Sequence, residues 1–281
     1  MKIGLTILPH EWIFGGYLLS MWLRLLSGTS PGSRDTLLYL ALIVANVALI
    51  VHCMRNGSTR NWRLRLLFYP IAMNVCYMVS RTAVPAIHPV LEDARLQSID
   101  RAMIGTNLSI RAQAIVHPAL TEVFSICYIL FIPALLAGMI YYFVGDLEVL
   151  KRFFTGLFTL YGIGLFGYSV VPALGPWLAM SDEFTVPLRG WLITDWNAEM
   201  VRTGSNRVDV FPSLHCAVSS FILAFDYRHR RWRFWVHLVP CVGLWISTIY
   251  LRYHYCIDVL CGFALSAVSL WVVHLYSRRH S

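Results

Sequence analysis

The chain has 281 residues, of which 57% are hydrophobic and only 14% charged, against about 25% charged in an ordinary soluble domain. Its net charge is +8, but no nucleic-acid-binding motif accompanies that charge, and apolar blocks of spanning length exclude a soluble nucleic-acid binder. What remains is an all-α polytopic integral membrane bundle whose short basic loops set topology and sit near anionic lipid headgroups.

Residues 12 to 26 form the first apolar run. A cleaved signal peptide competes with a short span there, but no small-x-small cleavage site is visible, so a span is expected. Ser27 to Asp35 is a Gly/Ser/Pro turn, and Thr36 to Met54 is a clear span. Arg55 to Arg65 carries four arginines and no acid. Leu66 to Val84 is a weaker span ended by Arg81 and Pro85.

Residues 90 to 116 differ, mixing Leu91, Leu96, Ile99 and Met103 with Glu92, Asp93, Arg95 and Asp100. This pattern predicts amphipathic helices on the membrane surface, broken at Gly105-Thr106-Asn107; Asp100 could reach the active site, but a solvated face is favoured. Pro118 to Val144 is a long span with a kink expected at Pro133. Asp146 to Arg152 is a charged turn, and Phe153 to Val171 spans again until Pro172-Ala173-Leu174-Gly175-Pro176 stops it. Residues 177 to 209 are the longest polar segment, a length that points to function.

Three more spans follow, beginning at Ser213, Phe234 and His254, for about eight in all. Residues 1–90 hold the N-terminal spans and 91–281 the rest, without internal repeats. With both ends cytoplasmic, the loops and tails on that side hold thirteen of the 23 Lys and Arg residues. The positive-inside bias then puts segment 172–211 and the 252–255 loop on the periplasmic or lumenal face.

Two stretches carry chemistry: Asp209-Val210-Phe211-Pro212-Ser213-Leu214-His215-Cys216 and Arg252-Tyr253-His254-Tyr255-Cys256-Ile257-Asp258. Asp258 follows His254 by four, the spacing of one helix face. A carboxylate there fixes the imidazole tautomer and sharpens the other nitrogen as a nucleophile. His215 supplies the second titratable group that a covalent phosphoryl transfer needs. A proton-relay transporter would scatter its histidines through mid-span, whereas these lie at span ends on one face. The seven cysteines show no CxxC pair and no zinc spacing. Cys216 and Cys256 flank the key histidines as pocket thiols, with a disulfide between them left open.

At these residues the chain resembles the type 2 phosphatidic acid phosphatase superfamily. Pro212-Ser213-Leu214-His215 matches its Pro-Ser-Gly-His signature with Leu214 for Gly. Ser247, His254 and Asp258 match the third signature with Thr248 in place of Arg. The basic first signature is absent; Tyr168 to Pro176 stands in its place. Ser-Leu-His-Cys, Tyr-His-Tyr-(two residues)-Asp and Pro-Ala-(one residue)-Gly-Pro are more similar to the branch containing the fungal inositol phosphorylceramide synthase. The resemblance covers roughly residues 95 to 276 and implies a six-helix core preceded by extra spans.

It also implies roles. His254 would attack the phosphorus of a lipid-linked phosphate, Asp258 would orient it, and His215 would protonate the leaving group and then activate the acceptor. Ser213 would bind a phosphate oxygen, with Arg252, then Arg207 and Arg202, and the amides at the Ser213 helix start replacing the missing basic clamp. No cofactor or metal is implied. The partners are a lipid phosphate and a lipid or water acceptor. The reaction is a headgroup phosphotransfer of inositol-phosphate type, or hydrolysis of phosphatidate or polyprenyl diphosphate.

Overall fold

The computed structural model describes residues 7–280. Every regular element among them is helical. Helices α1 (Pro9–Gly28), α2 (Arg34–Arg55) and α3 (Thr59–Ile87) come first. The surface segment follows as α4 (Asp93–Ile104), the short α5 (Leu108–Arg111) and a 3-10 turn. Gly105, at φ 75°, caps α4 in the left-handed region, at the break the sequence predicts. The long span is two helices, α6 (Pro118–Ile129) and α7 (Phe131–Val144). Pro133 has no N–H to give the Ile129 carbonyl four residues back, and the helix breaks there. After α8 (Leu147–Val170) and the single turn α9 (Pro176–Ala179), the polar segment forms α10 (Leu192–Gly204). The chain closes with α11 (Leu214–His229), α12 (Arg231–Tyr250) and α13 (Cys256–His280).

Among the described residues four helical segments are long and apolar enough to cross a membrane: Arg34–Arg55, Pro118–Val144 (α6 and α7 together), Leu147–Val170 and Cys256–Arg278. The other expected spans also form helices, but α1 carries Glu11 and Arg24, α3 carries Arg60, Arg63, Arg65 and Arg81, and α12 begins with Arg231 and Arg233. The lipid-facing surface is apolar: Leu37, Leu40, Val44, Val47 and Val51 form an exposed stripe on α2, and Val236, Val239, Val242 and Ile246 one on α12. Tyr39, Asn46 and Cys53, on the opposite face of α2, are buried. With little hydrophobic drive between helices in lipid, close packing and hydrogen bonds hold the bundle.

Helix α8 is its central post, contacted by α1, α3, α11 and α13. Its glycines admit those neighbours: a Cβ on Gly156 would sit 2.2 Å from Phe221, and one on Gly164 2.4 Å from Leu214. Leu214, the departure from the family's Pro-Ser-Gly-His, thus fills the space that Gly164 leaves.

The first span is longer and more deeply placed than residues 12 to 26 suggest. Phe14, Leu18, Met21 and Leu25 of α1 are fully buried. The Glu11 carboxylate is buried with the Arg65 guanidinium, whose Nε donates to Oε1 at 2.7 Å. Helices of the first ninety residues therefore share one hydrophobic core with the remainder.

Candidate active site

The site is built where α12 ends. The amides of Leu251, Arg252 and Tyr253 turn back onto the carbonyls of Ser247 (2.8 Å), Ile249 (3.0 Å) and Thr248 (2.9 Å), and the His254 amide also bonds Thr248, at 3.0 Å. Helix α13 starts only at Cys256. His254 and Asp258 therefore do not share a helix face, as their spacing suggested. His254 lies in the loop and Asp258 in the first turn, whose Oδ2 accepts from the Tyr255 amide at 2.8 Å. The histidine still meets that carboxylate, with Nδ1 3.6 Å from Oδ2.

Two carboxylates from elsewhere hold this loop, and a third fixes the start of α10. Asp100 is not solvated: it is fully buried and accepts the amides of Cys256 (2.8 Å) and Ile257 (2.9 Å). A carboxylate at a helix start satisfies orphan amides and opposes the dipole. Asp93 accepts the amides of Leu174 and Gly175, both at 2.9 Å, and the Tyr255 hydroxyl at 2.9 Å. Glu122 accepts the amides of Trp191 (2.7 Å), Ile193 (2.8 Å) and Thr194 (3.1 Å), fixing the start of α10.

The Pro172–Pro176 segment, where the family's basic signature would fall, is a buttress. Gly175 has φ 86°, and a Cβ there would stand 2.6 Å from the Tyr253 carbonyl, while the Trp177 amide donates to the Arg252 carbonyl at 2.8 Å. Gly175→Ala is expected to cut kcat about 100-fold, because a shift on the order of 1 Å in the adjacent His254 is enough for that. Gly16→Ala, with nothing within 4 Å of the new carbon, serves as the control; equal rates for the two variants would refute the buttress.

The two histidine motifs meet directly. His254 Nε2 lies 3.4 Å from His215 Nδ1. The Ser213 amide donates to the Asp258 carbonyl at 3.0 Å, an approach allowed because Gly262 has no Cβ to strike the Ser213 carbonyl at 2.5 Å. The His215 ring packs against Tyr128 and Phe131, with centroids 4.7 Å from each. His215 lines a cavity of about 330 Å³ walled mostly by apolar side chains of α3, α7 and α8. No Lys or Arg lines it among the described residues.

The remaining nominated groups fall elsewhere. Ser213 is fully buried and its hydroxyl caps α11, accepting from the Cys216 amide at 3.4 Å. Arg252 has φ 69°; its guanidinium donates to the Val186 carbonyl and lies over the Phe184 ring, 4.1 Å from the centroid. Arg207 is exposed, and Arg202 pairs with Glu199. Cys216 and Cys256 are free thiols outside the cavity lining. Asp209 opens the first motif, where its sequence position alone gives it no role. It lines the cavity and accepts from the Ser205 hydroxyl at 2.8 Å and from the Tyr77 hydroxyl. Its place six residues before His215 was the available signal.

Burial pushes the His254 imidazole down to about 4, against the upward pull of the Asp209 carboxylate and the Val210 backbone. A lowered value keeps the ring neutral and nucleophilic as pH falls from 7 to 5. In kcat/KM against pH, the acid limb is expected near pH 4; a limb centred on the ordinary value of 6.5 would show an unshifted nucleophile.

A neutral buried histidine backed by a carboxylate, beside a second histidine at the end of an apolar cavity, suits attack on a lipid-borne phosphorus. Comparisons with known proteins place the chain among membrane phosphatases and phosphotransferases. The model of the PAP2 superfamily matches residues 94–272. A phosphoinositol dihydroceramide synthase of Bacteroides thetaiotaomicron is 28% identical over 182 residues, covering 58% of this chain and 58% of that protein. No solved structure matches. The chain belongs to the PAP2 superfamily of membrane phosphatases and phosphotransferases.

Proposed function

We propose that this protein is a lipid headgroup phosphotransferase that moves a phosphoinositol-type group from a glycerolipid to the hydroxyl of a ceramide-type lipid. The observation that carries the reading is the histidine pair, 3.4 Å apart, with His215 in the wall of a cavity lined mostly by apolar side chains. An apolar wall beside the reacting pair favours a lipid acceptor. The name of the bacterial relative agrees with it.

In the first step the His254 Nε2 lone pair attacks phosphorus and the bond to the glycerol oxygen breaks. His215 gives its proton to that oxygen, and diacylglycerol leaves. Asp258 balances the positive charge on the phosphorylated imidazole, whose Nδ1 keeps its proton. In the second step neutral His215 takes the acceptor's hydroxyl proton, the acceptor oxygen attacks phosphorus, and His254 departs. No step calls on a metal. The clamp for the equatorial oxygens is assigned to the Leu214 and His215 amides at the start of α11, which have no acceptor in their own helix. The charge bias of the loops supports a periplasmic or lumenal face for this chemistry.

The test uses purified protein in vesicles containing EDTA, with phosphatidylinositol and ceramide, and separately with phosphatidate. A phosphoinositol ceramide and diacylglycerol, with little free phosphate, is the expected product set. Free phosphate from phosphatidate without any transfer would replace this reading by a phosphatase.

A further inference from the structure

Among the described residues Asp209 is the one carboxylate in the wall of the apolar cavity, and no Lys or Arg shares that wall with it. It is half-buried in the segment that leads from α10 into α11. The Ser205 hydroxyl donates to its Oδ1 at 2.8 Å, and the Tyr77 hydroxyl of α3 donates to its Oδ2. The loop carrying it is fixed in turn. Asn206 Nδ2 donates to the Tyr77 carbonyl at 3.1 Å, Asn206 Oδ1 accepts the Val208 amide at 3.0 Å, and Ser205 Oγ accepts the Arg207 amide at 3.0 Å. An ionised carboxylate has room for about four bonds. Two hydroxyls therefore leave each oxygen of Asp209 able to accept once more, and neither hydroxyl cancels its charge. A charge kept in an apolar wall at this cost calls for a use.

The use follows from what lies beside it. His215 lines the same cavity, and its Nδ1 is 3.4 Å from His254 Nε2. The Asp209 charge and the Val210 backbone both act on the His254 ring. With no cation in the wall, Asp209 repels an anionic phosphodiester, so the phosphate stays at the histidines. What meets Asp209 is the uncharged part of the lipid next to the reacting oxygen. The leaving lipid and the incoming acceptor pass through the same place beside His215, because one step is the other run backwards. In a glycerolipid the groups next to the reacting oxygen are ester oxygens, which only accept and gain nothing from a carboxylate. In the acceptor, the reacting hydroxyl gives its proton to His215 and cannot also satisfy Asp209. A bond to Asp209 takes a second donor on the same lipid.

We infer that Asp209 is the residue that selects the acceptor: it takes a hydrogen bond from a second N–H or O–H beside the reacting hydroxyl, and so favours a two-donor lipid over diacylglycerol. The inference rests on the transferase reading above and adds the side chain that sets acceptor choice. Asp209 lowers the barrier of the second step alone, since the glycerolipid of the first step offers it no donor. Diacylglycerol released in the first step is then a poor competitor for the phosphorylated enzyme.

The experiment separates the two steps in vesicles containing phosphatidylinositol. Single-turnover release of diacylglycerol without acceptor reads the first. Transfer to ceramide, to a ceramide methylated at its nitrogen and its second hydroxyl, and back to labelled diacylglycerol reads the second. The proteins are the wild type, Asp209→Asn and Asp209→Ala. The wild type is expected to use ceramide at least about tenfold more efficiently, in kcat/KM, than either lipid without a second donor. Asp209→Ala is expected to lose that preference, by a fall in kcat/KM for ceramide and not for diacylglycerol, while diacylglycerol release in the first step changes little. Asp209→Asn, whose side-chain carbonyl still accepts, is expected to fall between. Should Asp209→Ala unfold in detergent, Asp209→Asn and the wild-type acceptor series decide. A wild type that uses the methylated ceramide as well as ceramide would overturn the second-donor requirement. Equal losses with every acceptor, or a first step slowed as much as the second, would show that Asp209 only ties the loop to α3 or serves the histidines, and would overturn the selection while leaving the transferase standing. A wild type that releases only free phosphate would overturn the transferase reading, and the selection with it.

Discussion

His254→Ala is expected to lower kcat by at least about 10⁴-fold, since in the proposed reaction it removes the nucleophile and no neighbouring group takes its place. His215 cannot substitute, because its Nδ1 points to the same position that the lost Nε2 occupied, 3.4 Å away, and it lacks a carboxylate behind it. The loss is expected in kcat more than in KM, as lipid binding rests on the apolar cavity and not on this ring. The loop should survive the change: its turn is made by backbone bonds to Ser247, Thr248 and Ile249, and its far end is pinned by Asp100 and Asp258. Thermal unfolding in detergent within a few degrees of wild type, with turnover gone, is the expected pair of results. Residual activity within about tenfold of wild type would remove His254 from the reaction.

The largest stability effect is expected far from the chemistry, at Arg65→Met. Arg65 and Glu11 are buried together between α3 and α1, and Arg65 also stacks over Trp62, 4.5 Å from its ring. Removing the guanidinium leaves the Glu11 carboxylate with the Leu8 amide, 2.7 Å away, and no opposite charge among the contacts shown. Breaking a buried pair from one side costs about 3–5 kcal/mol, which for a chain of this size lowers the apparent Tm on the order of 10 °C. Replacing both partners, Glu11→Leu with Arg65→Met, removes the stranded charge and should recover most of the loss. A single variant as stable as wild type, or a double variant no better than the single, would show that the pair does not hold α1 in the bundle.

The helices were legible because apolar runs of spanning length in a chain with few charges leave little alternative, and the breaks at Gly105 and Pro133 follow from backbone chemistry alone. The pairing of His215, His254 and Asp258 was legible from motif and spacing. What escaped was long-range. Asp100 sits in a locally amphipathic stretch, and nothing nearby announces that its acceptors' partners lie 156 residues on, at the start of α13. Asp93 and Glu122 likewise look like ordinary surface or span charges until the backbone of Leu174–Gly175 and of α10 folds onto them. Arg252 was the natural replacement for a missing clamp by its distance from His254 in sequence. Its positive φ, which the sequence does not display, goes with a guanidinium on Phe184 and Val186 instead. The i, i+4 spacing of His254 and Asp258 brought the right partners together for a different reason: a loop residue meeting the first turn of the next helix.

The most direct measurement is to trap the covalent intermediate. Protein in vesicles is given phosphatidylinositol without acceptor, quenched at neutral to alkaline pH where a phosphorylated imidazole survives, digested, and read by mass spectrometry. The predicted result is one phosphoinositol group on the peptide carrying His254, with an equal amount of diacylglycerol released, and discharge of the group when ceramide is added. An adduct on any other residue, or steady turnover to a phosphoinositol lipid with His254 unmodified, would contradict a reaction that passes through this histidine.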